Sequence, residues 1–200
     1  HVFRKILNEL SKCGYNLSVH KYKFEQYGVP QKRHRYFIVG IRDDINKEFK
    51  PPKETITDPT QYKTAAEAFK EIEPGDPDQD PPKHSEAVIK RLENTLPGDN
   101  AWSPRLPDKY RLKGVKGAKL SQIYKKLKPD EPSYTVTGSG GGGTHMYHWS
   151  DNRALTNREK ATLQTFPTNY VFKGSKEQVR RQIGMAVPVK MATIIINSIL

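Results

Sequence analysis

Five consecutive residues, Gln31-Lys32-Arg33-His34-Arg35, stand where a turn feeds an apolar run. Arginines two apart in an extended segment project to one face. A guanidinium presents a planar fork of donors suited to a phosphate or a base carbonyl. Ordinary charge at a sheet edge accounts for the same residues, so the pattern by itself leaves both readings open. A second candidate is the glycine run Gly138-Ser139-Gly140-Gly141-Gly142-Gly143. Glycines let backbone approach a phosphate or base edge closely, although a flexible loop has the same composition. No Gly-Lys-Ser/Thr closes the run, and it does not open a helix within a βαβ unit, so neither nucleotide fingerprint applies. A third is Gly184-Met185-Ala186-Val187-Pro188, which reads as a tight turn at a helix start with backbone donors free for a ligand. The six histidines show no metal spacing, and Asp76, Asp78 and Asp80 lack the glycine and closing glutamate of a calcium loop, so no metal is expected. Trp102 and Trp149 fit either a core or a base-stacking role.

Positioning these residues requires regular elements. Val2, Phe3, Ile6, Leu7, Leu10 and Cys13 recur at spacings of three and four, which predicts a helix over 2–13 stopped by Gly14. Cys13 falls on that stripe and reads as a small buried hydrophobe. Asn16–Phe24 alternates as a strand, Gly28-Val29-Pro30 marks a turn, and Tyr36–Ile41 reads as a strand buried on both faces. Residues 43–99 are rich in breakers, with short helices predicted over Thr64–Ile72 and Ser85–Asn94. Ser133–Thr137 is strand-like. Thr156 caps a helix over Asn157–Phe166 with Glu159 in the capping-box position. Pro188–Leu200 is apolar nearly all round and predicts a buried helix. The fold class expected is α/β.

The 200 residues carry 34 Lys+Arg against 22 Asp+Glu, a net charge of +12, with 34% hydrophobic residues and one Cys. One cysteine excludes an internal disulfide and a cysteine-based zinc site and fits a reducing compartment. No apolar run is long enough to span a bilayer, and His1–Lys5 does not read as a signal peptide. The charge is uneven: residues 51–100 hold 6 basic and 11 acidic residues, whereas Arg105–Lys128 holds nine Lys/Arg and only Asp108 opposing. An acidic connector leading to a polyanion-facing surface would give this layout, as would an unevenly charged solvated surface.

Taken together, three segments resemble the DNA cytosine-5 methyltransferases. Phe24-Glu25-Gln26-Tyr27-Gly28-Val29-Pro30-Gln31-Lys32-Arg33-His34-Arg35-Tyr36-Phe37-Ile38-Val39-Gly40 is similar to motif VIII, Arg153–Pro167 to motif IX, and Gln182–Pro188 to motif X. Ser121–Leu127 and Pro132–Thr137 resemble the late target recognition segment. The resemblance implies the C-terminal part of a Rossmann-like methyltransferase catalytic domain plus a small, irregular, β-rich target recognition domain. Residues 1–42 would be a catalytic-domain segment, 43–150 the recognition domain with its acidic connector, and 151–200 the return to the catalytic domain. It further implies that Arg35 contacts O2 of a flipped cytosine, that Arg33 helps hold the catalytic loop and a nearby phosphate, and that Thr135 lies near the flipped nucleotide's backbone. Gln31, Gly140, Gly141, Arg111 and Lys113 are the other expected DNA contacts. Met185 and Val187 would border the S-adenosylmethionine pocket, with Met185 departing from the family's usual asparagine.

The family's nucleophile, a cysteine after proline in an early loop, has no counterpart, because Cys13 lies between Lys12 and Gly14. The Phe-x-Gly-x-Gly cofactor strand and the Glu-Asn-Val segment have none either. The chain therefore resembles the DNA-recognition half of a DNA cytosine-5 methyltransferase, expected in a prokaryotic cytoplasm within a restriction-modification system. It would be inactive alone and completed by an N-terminal half or subunit. A non-catalytic DNA-binding homologue and half of a tRNA cytosine methyltransferase are the alternative readings.

Overall fold

The structure is a computed structural model and describes residues 2–113, 121–140 and 143–200. Helix α1, Val2–Lys12, leads through Gly14 into strand β1, Tyr15–Lys23. A 3-10 turn over Phe24–Tyr27 ends on Gly28, whose φ of 73° is a left-handed cap that glycine adopts without strain. Strand β2, Gln31–Lys32, follows, then β3, His34–Arg42. Strands β1 and β3 form a full antiparallel ladder from Tyr15↔Arg42 to Lys23↔His34. The acidic connector carries helices α2, Ala65–Phe69, and α3, Glu86–Glu93. Thr64 and Glu67 close a capping box on α2, whereas Ser85 precedes α3 without a side-chain cap bond. Strand β4, Ser133–Tyr134, pairs in parallel with β2. Helices α4, Asn157–Leu163, α5, Lys176–Met185, and α6, Val189–Asn197, complete the order. Among the described residues of 43–150, regular β structure is confined to β4 and isolated bridges, so most of that stretch is irregular.

Two principal clusters of buried apolar side chains result. Tyr22, Phe24, Tyr27 and Val29 pack with Met191 and Ile195 of α6 at the end of the hairpin. Ala65, Ala68, Leu127, Val136 and Met146 pack with Leu155, Ala161, Leu163, Val179 and Ile183. The second cluster draws on residues from both sides of position 150.

Several expectations need correction. No residue of α1 is buried, and Val2, Phe3, Ile6 and Leu10 all stand exposed. Cys13 is exposed with them, because only one side of the hairpin is covered in this chain. For the same reason β3 is not buried on both faces: Phe37, Val39 and Ile41 turn inward while Tyr36, Ile38 and Gly40 are open. Helix α6 buries Met191 and Ile195 but leaves Ile196 exposed, so its all-round apolar character is not all-round burial. Gly184 is helical and not part of a turn. A Cβ there would lie 1.9 Å from the Gly138 nitrogen, so it is glycine that lets α5 seat on the backbone of residues 137–138. The first two backbone donors of α6 are already used: Val189 donates to the Gln164 carbonyl and Lys190 to the Thr165 hydroxyl.

Candidate nucleic-acid interface

The site is built where β2 meets β4. Parallel pairing places Gln31 against Ser133 and Lys32 against Tyr134. Side chains then bolt the two segments together. Arg33 Nη1 donates to the Val136 carbonyl at 2.9 Å, and Gln31 Oε1 accepts from the Val136 N–H at 2.9 Å. The Thr135 hydroxyl donates to the Lys32 carbonyl at 3.0 Å. Val136 is itself fully buried in the main cluster. A loop expected to read DNA is thus fixed to the turn that carries the arginines.

The two arginines do not share a role. Arg33 is buried, and burial together with the charge of Arg35 lowers its pKa. Arg35, two residues on, is exposed, and Nη1 donates only to the preceding His34 carbonyl at 2.8 Å. Its remaining donors are free for a ligand among the described residues. His34 turns away toward buried Glu25, with Nε2 2.6 Å from Oε1. The pair therefore separates into an anchor and an exposed fork.

Other expected contacts fare differently. Gln31 has 0% exposure and cannot meet DNA with its side chain. Its Nε2 donates to the Leu163 carbonyl and to Gln164 Oε1, at 3.2 and 2.9 Å, so it is an internal strut. Arg111 is likewise spent: Nε donates to the Ser103 carbonyl, Nη2 to the carbonyls of Pro104 and Leu106, and Nη1 pairs with Asp108 at 2.7 Å. It shapes its loop and offers little to a phosphate. Thr135 is half-buried with its hydroxyl committed as a donor, and Lys113 is exposed. Gly140 lies over α5, where a Cβ would come 2.9 Å from Arg180 Nε, and a Cβ at Gly143 would meet the Tyr124 ring at 2.6 Å. These glycines serve close packing of the loop against the protein. Gly141 lies outside the described residues.

A basic pocket of about 340 Å³ flanks this junction, lined by Lys32, Lys125, Lys126, Lys128, Glu131 and Tyr134 among others. Glu131 accepts from Lys128 and Lys32, at 2.6 and 2.7 Å, and these bonds push its pKa down to about 2. Lys126 is buried on Asn152, and burial lowers its pKa.

Met185 and Val187 lie on an open surface, 70% and 45% exposed. They supply an apolar wall and no polar donor set, so these residues alone do not enclose a cofactor. Among the described residues no cluster of His, Cys, Asp or Glu is arranged to hold a metal ion, and no helix is long and apolar enough to cross a membrane.

Sequence reasoning missed several buried polar residues that organise the site. Arg158 is fully buried, with Nε donating to the Pro77 carbonyl and Nη1 to that of Pro167, at 2.9 and 3.0 Å. Gln164 Nε2 reaches the Ile183 carbonyl at 2.6 Å. Helix α5 was also unread, although Ser175 and Gln178 form a capping box legible three residues apart.

The junction thus joins an anchored arginine, an exposed arginine and an irregular basic segment within a mixed α/β fold. The comparisons are specific. The family model for C-5 cytosine-specific DNA methylases matches residues 1–200, and the chain belongs to that family. It is 53% identical over 201 residues to the type II methyltransferase M.BbvI of Brevibacillus brevis, covering 99% of this chain and 53% of that protein. It is 37% identical over 202 residues to the type II methyltransferase M.NgoFVII of Neisseria gonorrhoeae, covering 98% of this chain and 53% of that protein. The chain spans about half the length of these curated relatives. In fold it is similar to the crystal structure of a DNA modification methyltransferase encoded within an E. coli prophage, with a TM-score of 0.69, 20% identity, and coverage of 98% of this chain and 63% of that one. The S. pombe Dnmt2 methyltransferase aligns with a TM-score of 0.56 and 16% identity over 97% of this chain and 60% of that one.

Proposed function

We propose that this chain is the DNA-recognition portion of a DNA (cytosine-5-)-methyltransferase of a restriction-modification system. It acts with a complementary N-terminal portion bearing the cofactor strand and the Pro-Cys loop. The observation that carries this reading is the division of labour between Arg33 and Arg35. Arg33 spends its charge on the Val136 carbonyl and holds the recognition segment in register with the turn. Arg35 stays exposed beside it and would donate to O2 of a flipped cytosine, stabilising the negative charge that develops on the ring when a thiolate attacks C6. In this reading residues 1–42 and 151–200 belong with the catalytic domain and 43–150 with recognition. Lys113, Thr135, and the backbone around Gly140 and Gly141 would approach the duplex.

The open apolar face of α1 and β3 supports the second part of the proposal. Phe3, Ile6, Leu10, Tyr36 and Ile38 stand exposed on neighbouring elements, with the Phe3 and Tyr36 rings 6.1 Å apart. A contiguous exposed apolar patch marks a surface meant to be covered, and the complementary portion would cover it. S-adenosylmethionine supplies the methyl group when bound. Met185 and Val187 would form one apolar edge of its pocket, the rest coming from the complementary portion. A prokaryotic cytoplasm is the setting that fits such an enzyme.

The test is complementation. The purified chain and a complementary N-terminal portion are assayed separately and mixed for methyl transfer to duplex DNA and to tRNA. Transfer to DNA is expected only from the mixture. Methyl transfer by the chain alone would overturn the divided-enzyme reading, and tRNA as the preferred acceptor would overturn the DNA reading. A mixture that binds DNA yet forms no covalent adduct with 5-fluorocytosine DNA would mark a non-catalytic homologue.

A further inference from the structure

The basic pocket beside the β2–β4 junction carries charge that the proposed reaction does not use. Lys32 lines it from β2, Tyr134 from β4, and Lys125 and Lys128 from the segment between α3 and β4. These walls are tied together through their backbone. The Tyr134 hydroxyl donates to the Lys125 carbonyl at 3.1 Å, the Thr135 hydroxyl to the Lys32 carbonyl at 3.0 Å, and the Gly98 N–H to the Lys126 carbonyl at 3.2 Å. Leu127, between the lysines, is buried in the main cluster and donates its N–H to the Tyr147 carbonyl. Three lysines thus stand on fixed main chain around one opening.

Their ammonium groups are accessible. The side chains of Lys32 and Lys128 are 48% and 49% exposed. Lys125 is half-buried, with Nζ 5.2 Å from the centre of the Tyr134 ring and no carboxylate partner among the described residues. Lys126 is turned elsewhere, to Asn152 Oδ1 at 3.1 Å. One carboxylate lines the opening. Glu131 accepts from Lys128 at 2.6 Å and from Lys32 at 2.7 Å, and so draws both ammonium groups to one point. Farther out, Asp130 and Arg105 act on Lys128 with opposite sign. Three cations therefore share a single anion. Half-exposed ion pairs are weak, so an incoming anion can take the ammonium groups over from Glu131.

We infer that Lys32, Lys125 and Lys128 form a phosphodiester site, filled by one backbone phosphate of duplex DNA, with Glu131 holding Lys32 and Lys128 in place until the phosphate arrives. This rests on the DNA-methyltransferase reading above and deepens it. The site is continuous with the candidate interface, because Lys32 lies three residues before Arg35 and its carbonyl is held by Thr135. Lysine is a point charge with rotatable donors, which suits a phosphate and makes no demand for a planar partner. Such a contact positions the duplex and carries no base preference.

The test is the salt dependence of duplex binding by the complete enzyme. Affinity is measured against salt concentration on duplexes of several sequences, with folding checked by circular dichroism. The proteins are wild type, Lys32→Met, Lys128→Met, the triple Lys32→Met, Lys125→Met, Lys128→Met variant, and Glu131→Gln. Each single variant is expected to bind about three- to tenfold more weakly, equally on every sequence. The triple variant should lower the slope of log affinity against log salt by about one, because its lysines meet a single phosphate. Glu131→Gln should bind about two- to fivefold more tightly at low salt, since the internal competitor is gone. An unchanged slope in the triple variant, with wild type still binding duplex, would overturn the site and leave the functional reading intact. A slope lowered by about two or more would mean separate phosphates and would overturn the single pocket. Weaker binding by Glu131→Gln would make the cluster a structural ion-pair network and would overturn the site. Inorganic phosphate that raises the melting temperature of wild type but not of the triple variant, alongside an unchanged slope, would mark a free-anion site and overturn the DNA assignment. Failure of wild type to bind any duplex would overturn the functional reading, and the inference with it.

Discussion

Gly184→Ala sets two effects of opposite sign against each other. In a free helix the change favours folding by about 1 kcal/mol, because alanine loses less backbone entropy. The tertiary structure opposes it. The new Cβ would lie 1.9 Å from the Gly138 nitrogen, 2.1 Å from the Thr137 carbonyl carbon and 2.4 Å from the Gly138 Cα. Non-bonded carbon contacts sit near 3.5 Å, so α5 and the 137–138 backbone would have to part by about 1.5 Å. All three atoms are main chain, so no side-chain rotation relieves the clash. The same helix crowds the loop one turn earlier, since a Cβ at Gly138 would be 3.0 Å from the Arg181 carbonyl oxygen of α5. Parting the two segments would draw Val179 and Ile183 away from Val136 in the main cluster. Overpacking typically costs about 1–3 kcal/mol, and looser contacts around a buried isoleucine add roughly 1–2 more. After the helical gain is subtracted, the variant should be less stable by about 1–4 kcal/mol. Urea unfolding followed by far-ultraviolet circular dichroism should show a lower midpoint at similar slope, and the melting temperature should fall by about 3–12 °C. A variant equal to or more stable than wild type would refute the argument that glycine is held here by backbone contact.

Gln31→Leu keeps the approximate volume but strands the Val136 N–H, the Leu163 carbonyl and Gln164 Oε1, and should destabilise by about 2–4 kcal/mol in urea unfolding; a change below 0.5 kcal/mol would return Gln31 to the candidate DNA contacts. In the complemented enzyme, Arg35→Ala should reduce turnover at least a hundredfold while changing duplex affinity only a few-fold, and a loss confined to affinity would make Arg35 a phosphate contact. Lys160 of α4, its charge disfavoured first by burial and then by Arg180, leaves a mark on the stability of the free protein. Its folded pKa of about 8 lies below the ordinary 10.5, so between these values the unfolded chain holds a proton that the folded chain has lost. Stability contributed by this group therefore rises with pH over that window, by at most about 3 kcal/mol. Relative to Lys160→Met, wild type should gain stability from pH 8 to 10, and parallel unfolding curves for the two proteins would contradict the burial of its charge.

Local physics made much of the chain legible. The three-and-four apolar spacing of residues 2–13 gives α1, alternation gives β1, and the Thr156–Glu159 box opens α4, because each signal acts within one or two turns of chain. The motif VIII turn and the order of motifs VIII, IX and X were enough to point to the family. The fate of individual side chains was not legible, because it is set by partners far away in sequence. Gln31 reads as a surface polar residue beside arginines, yet its partners lie 132, 133 and 105 positions along the chain. Arg33 and Arg35 are alike in the sequence, and only the pairing of β2 with β4 buries one under Val136 and leaves the other open. Gly184 looked like a turn former because glycine is the usual helix stop, whereas its missing Cβ answers to a backbone 46 residues earlier, at Gly138. Cys13 and the stripe of α1 lie where periodicity put them, but periodicity states only that a face is apolar. Whether that face is covered depends on what packs on it, and in this structure it is open.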